Sequence, residues 1–152
     1  MKTIITYGTF DLLHIGHVNM LQRLAELGDK LIVGVSTDEF NLLKGKQCIY
    51  GYAERAKIVA ALGCVDQVIA EDNWAQKVSD IQTHQVDIFG IGADWQGKFD
   101  ELNAYCEVVY LPRTPSISTT DLKKALSQID SASIQKIKQG LDSVLDLVKA
   151  IE

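Results

Sequence analysis

Two histidines, His14 and His17, flank Gly16 in the segment YGTFDLLHIGH at residues 7–17. On a helix, residues three positions apart lie on one face, about one turn from each other. Two imidazole N–H groups directed at one phosphate would stabilise the charge that develops as a leaving group departs. A metal site is the rival interpretation, but the sequence offers no obvious third ligand at a matching spacing. The pair therefore favours chemistry on a phosphate.

The elements around this segment would hold the pair at the tip of a strand. Residues 3–7 are mostly β-branched and predict a buried strand, and a helix is expected from about residue 15. The first N–H groups of a helix have no partner within the helix, and the positive end of the helix attracts anions. Gly8 and Gly16 leave room for a ligand to approach the backbone closely. The turn after the first strand therefore suits a bound phosphate.

Short apolar runs alternate with longer amphipathic segments along the rest of the chain. This alternation predicts a Rossmann-like α/β fold, a doubly wound, five-stranded parallel sheet whose ligands bind at the carboxyl ends of the strands. The predicted strands cover residues 3–7, 30–35, 65–69, 87–91 and 107–111. The predicted helices cover about 15–27, 53–62, 74–84 and 118–128.

The composition changes after about Gln128, so we predict a main domain over 1–128 and a C-terminal helical extension over 129–152. Apolar residues recur in the extension at alternating spacings of three and four, a heptad stripe. The stripe consists of Ile134, Ile137, Leu141, Val144, Val148 and Ile151. Such a helix either docks on the domain or pairs with a partner, and the pattern favours neither.

The overall composition excludes several classes of protein. A net charge of −5 and a pI of about 5.2 argue against nucleic-acid binding. Cys48, Cys64 and Cys106 are odd in number and widely spaced, which argues against a disulfide framework and fits a reducing compartment. We see no signal peptide and no apolar run long enough to span a membrane. These features predict a cytoplasmic protein without a membrane partner.

The HxGH segment resembles the signature of the nucleotidylyltransferase superfamily, and a second segment narrows the resemblance. Residues 113–120, RTPSISTT, are similar to the RTxxISTT motif of the cytidylyltransferase family. Residues 37–41, 73–74 and 94–99 add to this likeness, which extends from Met1 to about Leu126. The resemblance is strongest to bacterial members of the family that use sn-glycerol 3-phosphate.

The second motif is also chemically suited to a triphosphate. Arg113 offers a fixed fork of donors for the β- and γ-phosphates. Ser118, Thr119 and Thr120 offer hydroxyls and backbone N–H groups at the start of a predicted helix. Alone, these three residues would be an ordinary helix cap, but the first motif faces them across the strand ends.

The resemblance implies roles for individual residues. It makes His14, His17 and Arg113 catalytic, and it assigns Lys44, Lys77 and Arg55 to the acceptor phosphate. It implies that CTP is bound by Thr9, Phe10, His14, His17, Lys46, Asp94, Arg113, Thr114, Ser118, Thr119 and Thr120. It also implies Mg²⁺ as a cofactor, without assigning ligands. Aspartates that recur at strand ends are available either to position the metal or to cap helices, namely Asp11, Asp38, Asp66 and Asp94.

The reaction implied by the resemblance joins CTP to sn-glycerol 3-phosphate and gives CDP-glycerol and pyrophosphate. The resemblance also implies a homodimer and a product used for teichoic-acid-like or capsular polymers. Gly63 stands where we would expect an arginine, which bears on the identity of the acceptor. The alternatives are a cytidylyltransferase for another alcohol phosphate such as phosphoethanolamine, an adenylyltransferase for a sugar phosphate, and a catalytically silent nucleotide-binding assembly module.

Overall fold

The structure is a computed structural model that describes residues 1–113, 119–127 and 131–151. Five parallel strands form one sheet in the order β3-β2-β1-β4-β5. The strands are β1 (Thr3–Gly8), β2 (Lys30–Ser36), β3 (Gln67–Glu71), β4 (Ile88–Gly92) and β5 (Glu107–Leu111). The prediction of a five-stranded, parallel, Rossmann-like sheet is confirmed.

Six helices accompany the strands in the described part of the chain. They are α1 (Ile15–Ala25), α2 (Asp38–Leu43), α3 (Tyr52–Ala60), α4 (Gln76–Thr83), α5 (Thr119–Ser127) and α6 (Ser131–Ile151). Short 3₁₀ turns cover Ala93–Trp95 and Asp100–Ala104. The sequence did not predict α2 or the 3₁₀ turns, and the other helices lie close to their predicted positions.

The sheet is covered on both faces. Successive residues of each strand point to opposite sides, so each strand contributes apolar side chains to both faces. Ile4 of β1 packs with Leu24 of α1 in one apolar cluster. Its neighbour Ile5 packs with Phe89 of β4 and Ile81 of α4 in a second cluster. These two clusters fix the sheet between its helices and hold the strand ends in place.

The chain leaves β1 at the point where the strand order reverses. β1 pairs with β2 on one side and with β4 on the other, so the connections from β1 and β4 leave in opposite directions. A crevice opens at the carboxyl ends of the strands at such a switch point, and ligands of open α/β sheets bind there. The HxGH segment follows β1 directly into this crevice.

The described residues fall into two compact units, Met1–Thr119 and Thr120–Glu152. The predicted boundary between residues 128 and 129 lies outside the described residues and stays a prediction. Within the second unit, α6 extends over 21 residues, and Ile137, Leu141 and Val144 on its apolar stripe are more than half exposed. Among the residues that the structure describes, no helix is both long and apolar enough to cross a membrane.

Candidate active site

The turn between β1 and α1 holds an unusual backbone conformation. Phe10 and Leu12 have φ values of 54° and 49°, a left-handed region that residues with a side chain rarely enter. A Cβ on Gly8 would lie 2.8 Å from the Phe10 ring, so only glycine fits beside that ring. The same ring packs edge-on against His17 with centroids 5.4 Å apart. Strain of this kind is common where a structure fixes functional side chains.

His14 and His17 form a reciprocal cap at the start of α1. The Nδ1 atom of His14 accepts from the backbone N–H of Gly16 at 3.0 Å. The Nδ1 atom of His17 accepts from the backbone N–H of His14 at 3.2 Å. Both rings are thereby held beside each other, with centroids 4.0 Å apart. The spacing that predicted a paired site therefore also produces a capping box.

These two hydrogen bonds determine which ring nitrogen carries the proton. A neutral imidazole has one donor and one acceptor nitrogen, so a ring that accepts at Nδ1 must carry its proton on Nε2. Burial, followed by the charge of His14, lowers the pKa of His17 to about 4. Burial, followed by the charge of Arg113, also lowers the pKa of His14. At neutral pH both rings are uncharged Nε2–H donors.

We expect His17 to make the stability of the protein depend on acidity. The unfolded chain takes up a proton on this residue near the ordinary value of about 6.5, whereas the folded protein does so only near 4. The free energy of unfolding therefore falls as the pH drops from about 6.5 to about 4. In His17→Asn this fall should be smaller, because the amide oxygen keeps the cap but does not titrate. Urea unfolding of both proteins between pH 4 and pH 7.5 measures this fall in the free energy of unfolding. An equal fall in the two proteins would contradict the low pKa of His17.

A cleft of about 200 Å³ opens beside the two histidines. The hydroxyl of Thr119 donates to the carbonyl of Asp11 at 3.0 Å and lies 3.4 Å from Nε2 of His17. Arg113 approaches Asp94 at 3.9 Å, and both side chains are mostly exposed. The residues lining the cleft include His14, His17, Gly92, Asp94, Arg113 and Thr119. Five residues predicted to bind CTP therefore meet around one opening.

Of the four CTP ligands predicted within residues 114–120, three cannot be assigned to this cleft. Thr114 and Ser118 lie outside the described residues. Thr120 belongs to the second compact unit, where it is exposed near the start of α5. Their assignment to the triphosphate stays a prediction.

Arg55 is fully buried, at 0% exposure, and contacts three separate groups. Its Nε atom donates to the carbonyl of Tyr50 at 2.9 Å, and one terminal nitrogen donates to the carbonyl of Thr9 at 2.8 Å. The other terminal nitrogen pairs with Asp38 at 2.9 Å. In this arrangement Arg55 joins the loops around the crevice, and its side chain is not exposed to the crevice. We therefore treat it as a supporting residue instead of an acceptor-phosphate ligand.

Asp11 fixes the loop that carries Lys46. Its two carboxylate oxygens accept from the backbone N–H groups of Ile49 and Tyr50 at 2.8 and 3.0 Å. At the start of this loop, Gly45 has a φ of 74°, and the turn exposes the Lys46 side chain. Glycine suits this position because the left-handed region strains other residues.

Thr9 is held at the end of the first strand. Its hydroxyl donates to the side-chain oxygen of buried Asn41 at 3.1 Å, and its carbonyl accepts from Arg55. Its place beside the HxGH turn is compatible with the predicted contact to CTP.

Lys44 and Lys77, the two lysines assigned to the acceptor phosphate, both lie beside aromatic rings. Lys44 lies 4.4 Å from the ring centroid of Phe40 and 5.6 Å from that of Trp74. Lys77 lies 4.6 Å from Tyr7 and 4.9 Å from Trp74. Ammonium groups are attracted to aromatic faces at such distances. Trp74 therefore contacts both lysines.

Three further residues of this region were not found from the sequence. Glu71 and Ser36 are buried at the ends of β3 and β2, and each contacts one of the lysines. Tyr7, at the end of β1, donates to Asp80 at 2.8 Å. Burial and this carboxylate raise the pKa of Tyr7 far above its usual range, so its hydroxyl stays protonated. In the sequence, the only feature that could have pointed to these three residues was their position at the ends of predicted strands.

Most of the strand-end aspartates are engaged in structural hydrogen bonds. Asp11 accepts from the loop at 49–50, Asp38 from Tyr52 and Arg55, and Asp66 from Leu31. The largest effect on Asp38 is the Tyr52 N–H, which lowers the pKa of that carboxyl. Among the described residues, no three or more His, Cys, Asp or Glu side chains are grouped to hold a metal ion.

Gly63 lies far from the strand ends that form the crevice. It precedes β3, whose first residue is Gln67 and whose last residue is Glu71. Because all strands are parallel, the segment before β3 lies at the amino ends of the strands, whereas the HxGH turn lies at their carboxyl ends. A side chain there has open space around it. The missing arginine therefore does not alter the crevice within one chain.

Comparison with known proteins agrees with this geometry. The family model described as Cytidylyltransferase-like matches residues 5–125. A protein of Bacillus spizizenii named glycerol-3-phosphate cytidylyltransferase is 57% identical over 129 residues, which are 85% of this chain and 100% of that protein. A protein of Staphylococcus aureus with the same name is 51% identical and covers 83% of this chain and 96% of its own.

A solved structure shares the fold at lower identity. The lipopolysaccharide core biosynthesis protein of Thermoplasma volcanium matches with a TM-score of 0.64 at 26% identity. The match covers 75% of this chain and 98% of that protein. The family match ends at residue 125, so α6 lies beyond it.

Proposed function

The chain belongs to the cytidylyltransferase-like family, and we propose that it transfers a cytidylyl group from CTP to sn-glycerol 3-phosphate. The products are CDP-glycerol and pyrophosphate. The observation that carries the nucleotidyl transfer is the pair of neutral Nε2–H donors of His14 and His17 beside Arg113 in one cleft. The choice of acceptor is supported by the relatives named for glycerol 3-phosphate, at 51–57% identity.

The reaction is an in-line displacement at the α-phosphorus of CTP. An oxygen of the acceptor phosphate forms the new bond to this phosphorus, and the bond to the oxygen bridging to the β-phosphate breaks. The electron pair of that bond leaves with pyrophosphate. The second pKa of an alkyl phosphate is about 6, so the attacking oxygen is already deprotonated at neutral pH. The reaction therefore needs no general base, and positioning and charge stabilisation supply the catalysis.

The histidine donors suit this reaction because they are directed and uncharged. Their Nδ1 atoms are engaged by the backbone, so the Nε2–H groups are oriented before the substrate arrives. Donors that are already oriented need no reorganisation as charge develops in the transition state. We assign His14 and His17 to the oxygens of the transferring α-phosphoryl group.

The phosphate-binding side chains are divided between the two substrates. We assign Lys46, Arg113, Ser118 and Thr119 to the triphosphate, and Lys44 and Lys77 to the phosphate of the acceptor. Lys46 and Arg113 are exposed, which leaves their charges accessible to a nucleotide. Lys44 and Lys77 are the more enclosed pair, as expected for groups that hold a small, rigidly placed phosphate.

We propose that Mg²⁺ binds mainly through the triphosphate. Magnesium keeps several water ligands and is usually held by one or two carboxylates together with substrate phosphates. Of the four strand-end aspartates, Asp94 is the one whose side chain is 70% exposed beside the cleft. When bound, the ion would screen the negative charge of the triphosphate.

We also propose a homodimer in the cytoplasm whose product feeds a teichoic-acid-like or capsular polymer. The cysteines Cys48, Cys64 and Cys106 are unpaired thiols, as a reducing compartment favours. Light scattering of the full chain tests the assembly, with a mass near twice 16.8 kDa expected for a dimer.

A pyrophosphate-release assay with a panel of acceptors tests the proposed reaction. The full chain is incubated with CTP or ATP and with glycerol 3-phosphate, phosphoethanolamine or a sugar phosphate. We expect kcat/KM for CTP with glycerol 3-phosphate to exceed every other pair by at least about a hundredfold, since a site that hydrogen-bonds its substrate rejects analogues strongly. A preference for ATP or for another acceptor would replace the assignment, and no turnover with any pair would favour the silent module.

A further inference from the structure

Glu71, the last residue of β3, is a buried carboxylate between two lysines. The residue is 2% exposed, and Oε2 accepts from Nζ of Lys77 at 2.6 Å. Oε1 accepts from the hydroxyl of Ser36 at 2.8 Å. The oxygen of that hydroxyl in turn accepts from Nζ of Lys44 at 3.1 Å. One carboxylate therefore connects to both lysines, directly on one side and through Ser36 on the other.

The surroundings of the two lysines explain why their ammonium groups need the Glu71 carboxylate. Lys77 is 4% exposed, and its charge is enclosed by the rings of Tyr7, Trp74 and Phe99. An ammonium group in such surroundings is stable only when it is paired or hydrogen-bonded. Burial lowers the pKa of Lys44, and Glu71 opposes that effect. Glu71 thus supports the charged form of a lysine that it does not touch.

The balance of charge leaves the region able to attract an anion. The relay contains two ammonium groups and one carboxylate, so one positive charge remains uncompensated. Lys46 lies near enough to Lys44 to lower its pKa further. With Lys46 included two positive charges remain, and a phosphate dianion would neutralise them. Glu71 is itself too enclosed, with both oxygens engaged, to act as a base or to contact the substrate.

We propose that Glu71 is a positioning residue for the acceptor phosphate, holding Lys77 directly and Lys44 through Ser36. This rests on the proposed function, in which the two lysines bind glycerol 3-phosphate. Two simpler explanations make different predictions. If Glu71 acted only through its negative charge, its neutralisation would strengthen binding of an anion. If it served only to stabilise the fold, its loss would change the amount of folded enzyme and not the affinity for one substrate.

Glu71→Gln tests the proposal because the amide has the same shape and still accepts from Ser36. We expect KM for glycerol 3-phosphate to rise by about tenfold or more, as for loss of a hydrogen bond to a charged group. KM for CTP should stay within about twofold, because the triphosphate contacts are separate. Ser36→Ala interrupts only the route to Lys44 and should raise the acceptor KM by a smaller factor. It also provides the test if Glu71→Gln does not fold.

Glu101→Gln is the matched control, since Glu101 is an exposed carboxylate lining a second cavity with Lys77 and Trp74. Its neutralisation should leave KM for glycerol 3-phosphate unchanged or slightly lower. An unchanged or lowered acceptor KM in both Glu71→Gln and Ser36→Ala would overturn the positioning role alone. Absence of CDP-glycerol with the wild-type chain would overturn the proposed function as well, so the two failures are distinguishable.

Discussion

Replacing His17 with alanine is expected to lower kcat by at least about a hundredfold, the usual effect of losing one oriented donor to a transition-state oxygen. The substitution removes the Nε2–H group that lies beside Thr119 at the edge of the cleft. It also removes the acceptor of the cap hydrogen bond, which costs about 1 kcal/mol of stability. Steady-state kinetics with CTP and glycerol 3-phosphate, together with a thermal melt, separates the two losses.

His17→Asn and His84→Ala complete this experiment. The asparagine oxygen can replace Nδ1 in the cap, but no donor remains at the position of Nε2, so activity should fall as in the alanine variant. His84 lies at the end of α4, away from the carboxyl ends of the strands, and its loss should leave kcat within about twofold. Full activity in His17→Asn would mean that the histidine serves only as a cap.

Arg55→Met should lower the free energy of unfolding by about 3 kcal/mol and Tm by roughly 10 °C, because a buried cation with several partners is lost. The carbonyls of Thr9 and Tyr50 would each lose a charged donor. Asp38 is half exposed, so water can hydrate its carboxylate once the guanidinium is gone. The two carbonyls therefore account for most of the lost stability. Urea and thermal unfolding of the variant measure the change.

Lys57→Met is the control for Arg55→Met, since Lys57 lies on the same helix and is exposed. Its free energy of unfolding should change by less than about 0.5 kcal/mol. If Arg55→Met were as stable as this control but had a raised KM for glycerol 3-phosphate, Arg55 would return to the acceptor ligands.

The positions of the five strands were predictable because each is a short run, rich in β-branched residues, between turn residues. Helix α2 was not, because its six residues are too few to show a helical period. Its start is fixed by Thr37, whose hydroxyl accepts from the backbone N–H of Phe40. Such a local cap becomes recognisable only once the chain is seen to leave β2 at that point.

The histidine pair was predictable from spacing alone, but its protonation was not. The tautomers follow from backbone N–H groups at Gly16 and at His14 itself, whose directions depend on the helix start. The positive φ values at Phe10 and Leu12 carry no signal in these residue types. The sequence therefore showed the motif of this turn but not its backbone conformation.

The roles of buried charges were the least predictable part of the site. Arg55 contacts the carbonyl of Thr9, which is 46 positions away, and Ser36 contacts Glu71 across 35 positions. No local pattern shows such contacts, because strands distant in the sequence are brought together only by the parallel sheet. A lysine such as Lys77 looks like a surface residue on a helix until the rings around it are known.

Phosphorus-31 NMR of the full chain with CTP, Mg²⁺ and sn-glycerol 3-phosphate tests the proposed reaction most directly. We predict that the two coupled signals of CDP-glycerol and the signal of pyrophosphate grow in equal molar amounts, while CTP and glycerol 3-phosphate decline together. The contradicting result is unchanged glycerol 3-phosphate, either with CTP intact or with CTP hydrolysed to cytidine monophosphate.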